Sequence, residues 1–221
     1  MKMKRTALFA AALAMAALAT PAAWATTYTI DTKHSSVTFK IRHLFSKVEG
    51  AFTDYQGMYD YVPGHPEQWN ASATVQAASI DTRAPDRDKH LRSKDFFEVD
   101  AYPTIQFQGT GVSDVTESGA KLAGVLTLHG VQKPIVLDVQ ILGEGKDPWG
   151  NIRSGFTATT KINRKDFGLT WNKALESGQL LVGDEVDIVI EVEGVAKALT
   201  PSGAAPAAKL QSAGATQPVA R

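Results

Sequence analysis

The chain has no cysteine among its 221 residues. That excludes disulfides, a thiol nucleophile, thiolate-ligated metal and a lipidated cysteine after the leader. It has no net charge either, with 23 basic and 23 acidic residues. The balance is set by the ends: without Lys2, Lys4, Arg5, Lys209 and Arg221 the middle keeps 18 basic against 23 acidic residues, about −5. A mildly acidic domain lacks the basic surface on which nucleic-acid affinity rests, so no nucleic-acid partner is expected. Long apolar runs are also scarce. The longest, Ala7 to Ala19, falls short of the ~20 residues that span a bilayer. Stable membrane insertion is therefore not expected.

That run has its own meaning. Met1-Lys2-Met3-Lys4-Arg5 precedes it and Ala23-Trp24-Ala25 follows the break at Thr20-Pro21. A charged start, a short apolar core and an A-x-A site form a secretory leader, so residues 1–25 are expected to be cleaved and the protein to be periplasmic. At the other end, residues 199–221 are Ala, Pro, Gly, Ser, Thr and Gln without period. Such a stretch buries too little apolar surface to offset its chain entropy and reads as a disordered tail. Residues 26–198 remain, the length of one ordinary domain.

The domain reads as strands. Val37, Phe39 and Ile41 alternate with Thr38, Lys40 and Arg42, the period of a half-buried strand. The same alternation recurs at 69–77, at Ile105 and Phe107, at Leu122 to Leu128, at Ile135 to Ile141, at Ile152 to Ile162 and at Val186 to Val192. Thr27 to Asp31 and Gly50 to Tyr61 are weaker stretches of the same kind. Turn-formers separate them, among them Glu117-Ser118-Gly119 and His129-Gly130. Eight or so such strands predict an all-β barrel or sandwich, and closure removes exposed edges. Ala71, Ala73, Ala77, Gly124 and Ala158 interrupt the apolar faces. A barrel of this size is either filled or holds one ligand. Composition leaves both open, because Phe39, Phe107 and Phe156 are large enough to fill the gaps.

One island breaks the pattern: Arg87-Asp88-Lys89-His90-Leu91-Arg92-Ser93-Lys94-Asp95-Phe96-Phe97, closed by Tyr102-Pro103. It predicts a short helix in the 84–98 connection, capped by Asp86, with Asp86–His90 and Asp88–Arg92 paired one turn apart. Leu91 and Phe96 or Phe97 would face inward. An acid–base reading takes Asp88 or Asp95 to orient His90, but no G-x-S-x-G elbow or cysteine accompanies them. The other histidines do not converge as zinc ligands. His34 and His43 differ in parity, His65 lies in a loop and His129 precedes a turn glycine. His43 shares the inward parity of Val37, Phe39 and Ile41. Asn70-Ala71-Ser72 matches a glycosylation sequon, but inside a strand it is discounted.

These blocks together resemble the YceI family. They run from Tyr28-Thr29-Ile30-Asp31, His34-Ser35 and Gly50-Ala51-Phe52 through Ser79-Ile80-Asp81-Thr82 and the charged island. They continue through Gly124 to Pro134, Asp147-Pro148-Trp149-Gly150 and Arg164-Lys165-Asp166-Phe167-Gly168. The resemblance implies an extended, eight-stranded antiparallel, lipocalin-like β-barrel with an apolar lumen for a long isoprenoid chain, such as a quinone or prenyl phosphate. Transport, storage or sequestration would follow, with no catalytic step, no metal and no cofactor besides the lipid. Transient contact with a membrane or membrane protein would be the further partner. Inward positions in the matching blocks are the ligand-binding candidates: Phe39, Ile41, His43, Phe52, Ala73, Val75, Phe97, Ile105, Phe107, Leu126, Leu128, Leu137, Phe156 and Ile188. Two rival readings stay open, an enzyme acting on a lipid head group through Asp88 and His90, and a filled, ligand-free structural or stress-response module.

Overall fold

The computed structural model describes residues 26–197; the leader at 1–25 and the tail at 199–221 lie outside the described residues. Eleven strand segments close into an antiparallel barrel of eight strands. The difference in number has a simple cause. β1 (Thr26–Ile30) and β2 (Ser36–His43) run in line along one neighbour, interrupted by the turn at 31–35. β3 (Ser46–Phe52) and β4 (Tyr55–Tyr61) form the next broken strand, bent at Thr53-Asp54. β5 (Asn70–Gln76) and β6 (Ile80–Asp81) form the third.

The remaining strands are longer and mostly continuous: β7 (Thr104–Ser113), β8 (Gly119–Leu128), β9 (Val131–Lys146), β10 (Ile152–Asn163) and β11 (Val182–Ala196). The ring closes where β11 pairs with both β2 and β1, Ile188 facing Phe39 and Gly194 facing Ile30. Register shifts at Gly109/Gly111, Gly155/Phe156 and Val182/Val186 mark bulges, which bend strands enough to close a small barrel. Between β8 and β9 the turn is two residues. His129 and Gly130 both have positive φ, 51° and 73°, the geometry that suits a tight hairpin.

The stretch Gly50 to Tyr61, the weaker expectation, forms two strands because Thr53-Asp54 turns the chain. The region near Asp86 also differs from expectation. α1 spans Pro85–Arg92, and its cap position is Ala84, whose methyl group offers no hydrogen-bond acceptor. Pro85 takes the first helical position, where its missing N–H costs nothing, and Asp86 and Asp88 fall in the first turn. α1 packs beside β6, where β7 pairs with β5 but not with β6, so it covers a stretch of wall without a continuous ladder.

One end of the barrel is sealed by aromatics. Tyr28 is wholly buried and stacks on Tyr59 at 5.1 Å, while Phe156 meets Tyr59 and Tyr61 edge-on. Tyr59 Oη hydrogen-bonds to Ser154, and burial pushes its hydroxyl pKa up to about 12. Outside this plug, Arg153 binds Asp31 at 2.8 Å, Asp147 at 2.9 Å and Glu193. The guanidinium, with His34 adding to it, holds the Asp31 carboxyl well below the usual range; for Asp147 the Asn151 amide contributes first and Arg153 next. Both carboxyls are therefore more acidic folded than unfolded. Their stabilising contribution is present above the ordinary carboxylate range and is lost as pH falls through about 4 and below. Urea unfolding at neutral and acid pH should show stability falling on acidification. In Arg153→Met the neutral-pH stability should drop and the acid slope should flatten. A variant that loses stability in parallel with the parent at every pH would contradict this.

Candidate functional site

The inner face of the barrel is built by period-2 alternation, and its rings are seated on glycines. A Cβ on Gly50 would come within 2.4 Å of the Phe39 ring, one on Gly124 within 2.3 Å of the Phe107 ring, and one on Gly194 within 2.2 Å of the Tyr59 hydroxyl. Each glycine lets a ring, from the adjacent strand at Gly50 and Gly124 and from across β1 at Gly194, lie against the wall instead of across the axis. The gap at Gly124 is thus occupied by Phe107, as the filled-core alternative required there. Elsewhere the interior stays hollow. Ala71, Ala73 and Ala158 front an open cavity of about 350 Å³ that runs most of the length of the barrel.

All the inward positions expected to contact a ligand lie on this cavity's wall: Phe39, Ile41, His43, Phe52, Ala73, Val75, Phe97, Ile105, Phe107, Leu126, Leu128, Leu137, Phe156 and Ile188. Leu126, Leu128 and Leu137 are buried by their neighbours. Phe39, Ile41, Val75, Ile105, Phe107, Phe156 and Ile188 point inward yet keep accessible surface, which only a hollow interior gives. Ala77 is buried beside the barrel and does not reach the lumen. Leu91, Phe96 and Phe97 line it from the α1 side, and Phe97 meets Phe52 edge-on at 5.8 Å.

The charged island does something other than pair along its helix. Asp88, 6 % exposed, turns back to accept hydrogen bonds from Thr82 N–H at 2.9 Å and Thr82 Oγ1 at 2.5 Å. Arg87 donates to Thr82 Oγ1 and to its carbonyl. Arg92 donates to the carbonyls of Ala78 and Ile80 instead of reaching Asp88. His90 bonds Asp95 at 3.0 Å, not Asp86, and sits edge-on to Phe96 and Trp171. The Asp88–Arg92 pair gives way because Thr82 and the carbonyls of Ala78 and Ile80 beside β6 offer each of them a partner of its own. His90 and Asp95 are both well exposed and Asp88 is consumed by Thr82, so the three do not converge on the lumen.

Other histidines are placed as follows. His34 is off the strand, in the turn at 31–35, where it bonds Asp31 at 2.9 Å. His65 bonds Glu67 in its loop. His129 Nδ1 contacts the Phe167 carbonyl at 3.2 Å and its ring packs on Tyr102. Asp31, His34 and Glu193 come close enough to share a cation, but the Arg153 guanidinium already binds both carboxylates. Sequence reasoning missed Arg164, a buried cation on the cavity wall, and the Tyr28–Tyr59 plug. Arg164 opens the Arg164-Lys165-Asp166-Phe167-Gly168 block, but nothing in its spacing marks it as inward.

A closed, lipocalin-like antiparallel barrel around an apolar lumen is an architecture with room for one small ligand. The model of the YceI-like domain family matches residues 28–194, and the chain belongs to that family. It is 40 % identical over 196 residues to a UPF0312 protein of Azotobacter vinelandii, covering 87 % of this chain and 99 % of that one. The Campylobacter jejuni YceI protein superposes with a TM-score of 0.61 at 33 % identity, over 71 % of this chain and 90 % of that chain. A polyisoprenoid binding domain from Saccharophagus degradans shares the fold, with a TM-score of 0.57 at 16 % identity, over 78 % of this chain and 99 % of the other.

Because Asp88 satisfies two Thr82 donors, Asp88→Ala should destabilise the barrel by about 1–3 kcal/mol, whereas exposed Asp86→Ala should change it by about 0.5 kcal/mol or less. Equal midpoints for the two variants in urea unfolding would contradict the anchoring role.

Proposed function

We propose that this protein binds a long-chain isoprenoid lipid, a polyisoprenoid quinone or prenyl phosphate, inside its barrel in the periplasm. The observation that carries the reading is the hollow interior. Inward aromatic and aliphatic side chains keep accessible surface around an apolar cavity of about 350 Å³. Exposed to water alone, such a surface is costly. Burying a hydrocarbon chain against it recovers roughly 25 cal/mol per Å², or about 0.8 kcal/mol per CH₂. Affinity can therefore come from chain length, without a dense set of polar contacts.

Two further observations support this choice of ligand. The fold is shared with the polyisoprenoid binding domain of Saccharophagus degradans. The leader pattern in the first 25 residues fits a carrier exported through a cleaved leader. The lipid is carried, stored or sequestered in an aqueous compartment, and no bond of it is made or broken. Arg87, Asp88 and Arg92 of the island serve the wall: their hydrogen bonds end on the backbone and side chain of the segment 78–82.

Organic extraction of protein purified without detergent, followed by mass spectrometry, should release an isoprenoid lipid. Ala158→Phe places a ring in the open axis, and should reduce the extracted lipid roughly tenfold or more, since overpacking a filled lumen costs about 1–3 kcal/mol. A lipid-free extract from the parent, or an unchanged yield from the variant, would count against the proposal.

A further inference from the structure

At the end opposite the tyrosine plug, two turns present apolar side chains to water. β2 and β3 are joined by Leu44-Phe45 alone, with His43 paired to Ser46. Phe45 is 86 % exposed, and of the described phenylalanines it alone is exposed. Leu180, 47 % exposed, lies in the segment before β11, which folds back on itself. There Ala174 bridges Leu180, and Leu181 N–H donates to the Lys173 carbonyl at 2.9 Å. Leu44 N–H donates in turn to the Leu181 carbonyl at 3.0 Å, which sets the two turns side by side.

The β2–β3 turn is not one that hairpin stability selects. Two-residue hairpins favour Gly, Asn or Asp, because a central residue takes positive φ. Here that residue is Leu44, φ 51°, a bulky side chain in the left-handed region. The apolar pair is kept at a cost to the turn, the mark of a working surface.

Its place suits the passage of an apolar ligand. Tyr59 rests on Gly194 near the last residues of β11, at the sealed end, whereas the Phe45 turn meets β11 at Val182, its first residue. His43 and Val182, next to Leu44 and Leu181, line the lumen. Charge points to the partner. Residues 42–47 and 173–181 carry Arg42, Lys47 and Lys173 against Glu176 alone, in a domain that is net acidic. Lys47 binds Asp187, but Arg42 and Lys173 have no carboxylate within 4 Å among the described residues. Two projecting apolar side chains are too little for a protein interface of roughly 800 Å² per partner. They suit the head-group region of an anionic bilayer, where apolar side chains bury and Lys or Arg meets phosphate.

We propose that the Leu44-Phe45 turn and the adjoining Leu180 turn form a docking tip for an anionic lipid bilayer. The barrel settles on it to exchange its ligand through the end opposite the plug. This rests on the lipid-binding reading and adds the surface from which the lipid comes.

Flotation of the purified full chain with vesicles tests it, using phosphatidylcholine alone and an equal mixture with phosphatidylglycerol. The parent should float with the anionic vesicles and less with the neutral ones. Phe45→Ser should lower that partition roughly tenfold, and Leu180→Ser by less. Arg42→Gln combined with Lys173→Gln should remove the preference for anionic vesicles. Trp149→Ser is the control, since Trp149, 82 % exposed, stands on the turn at the sealed end; it should change nothing. Ubiquinone supplied in vesicles should load into Phe45→Ser roughly tenfold more slowly than into the parent, with equal final occupancy when it is supplied in detergent.

A parent that stays in the soluble fraction overturns the docking tip, and so does a loss on Trp149→Ser equal to that on Phe45→Ser. If Phe45→Ser changes the sedimentation of the protein alone but not its vesicle partition, the tip belongs to a second copy and the proposal fails. None of these results touches the lipid-binding reading. That reading falls instead if the parent takes up neither ubiquinone nor a prenyl monophosphate from detergent.

Discussion

Everything in this molecule depends on inward rings lying flat. Eight strands close a barrel whose interior side chains can fill completely, and many of the inward residues here are large. The lumen survives because Phe39 and Phe107 rest on Gly50 and Gly124 of neighbouring strands, and Tyr59 reaches across β1 to rest on Gly194. A methyl group at any of these glycines would meet the ring at well under van der Waals distance and push it toward the axis. The glycines thus convert bulky residues from filler into wall.

From that constraint the rest follows. The wall needs a continuous hydrogen-bonded ring; among the described residues the ladder lapses where β9 and β10 part beyond Asp138 and Thr159, and again between β6 and β7. α1 covers the latter stretch, held by Asp88, Arg87 and Arg92 on residues 78–82, and it turns Leu91, Phe96 and Phe97 to the lumen. One end is stoppered by stacked tyrosines, the other carries the buried cation. Charge outside the barrel, gathered on Arg153, ties β1, β10, β11 and the 147–151 turn together where the strands would otherwise fray.

Much of this was legible in the sequence, for a physical reason. Alternation with period 2 is imposed residue by residue, so the inward set from Phe39 to Ile188 could be read without knowing how strands pair. The family blocks then decided between filled and hollow, which alternation could not. What stayed hidden was long-range. Asp88 and Arg92 stand one helical turn apart, and helix rules pair them, but Thr82 and the carbonyls of Ala78 and Ile80 are better partners. Nothing local between Asn163 and Lys165 marks Arg164 as inward. Only the return of β11 past it shows that its guanidinium is enclosed. Likewise no local pattern tells Gly124 that the neighbouring Phe107 lies above it.

The central claim is that the barrel is hollow in order to hold a chain. The most direct test is a crystal structure of the protein as purified, with no lipid added. Continuous density along the axis from the vicinity of Arg164 to Phe156, with Phe39 and Phe107 still flat on their glycines, is the predicted result. Rings swung inward to close the lumen, with no chain between them, would contradict it.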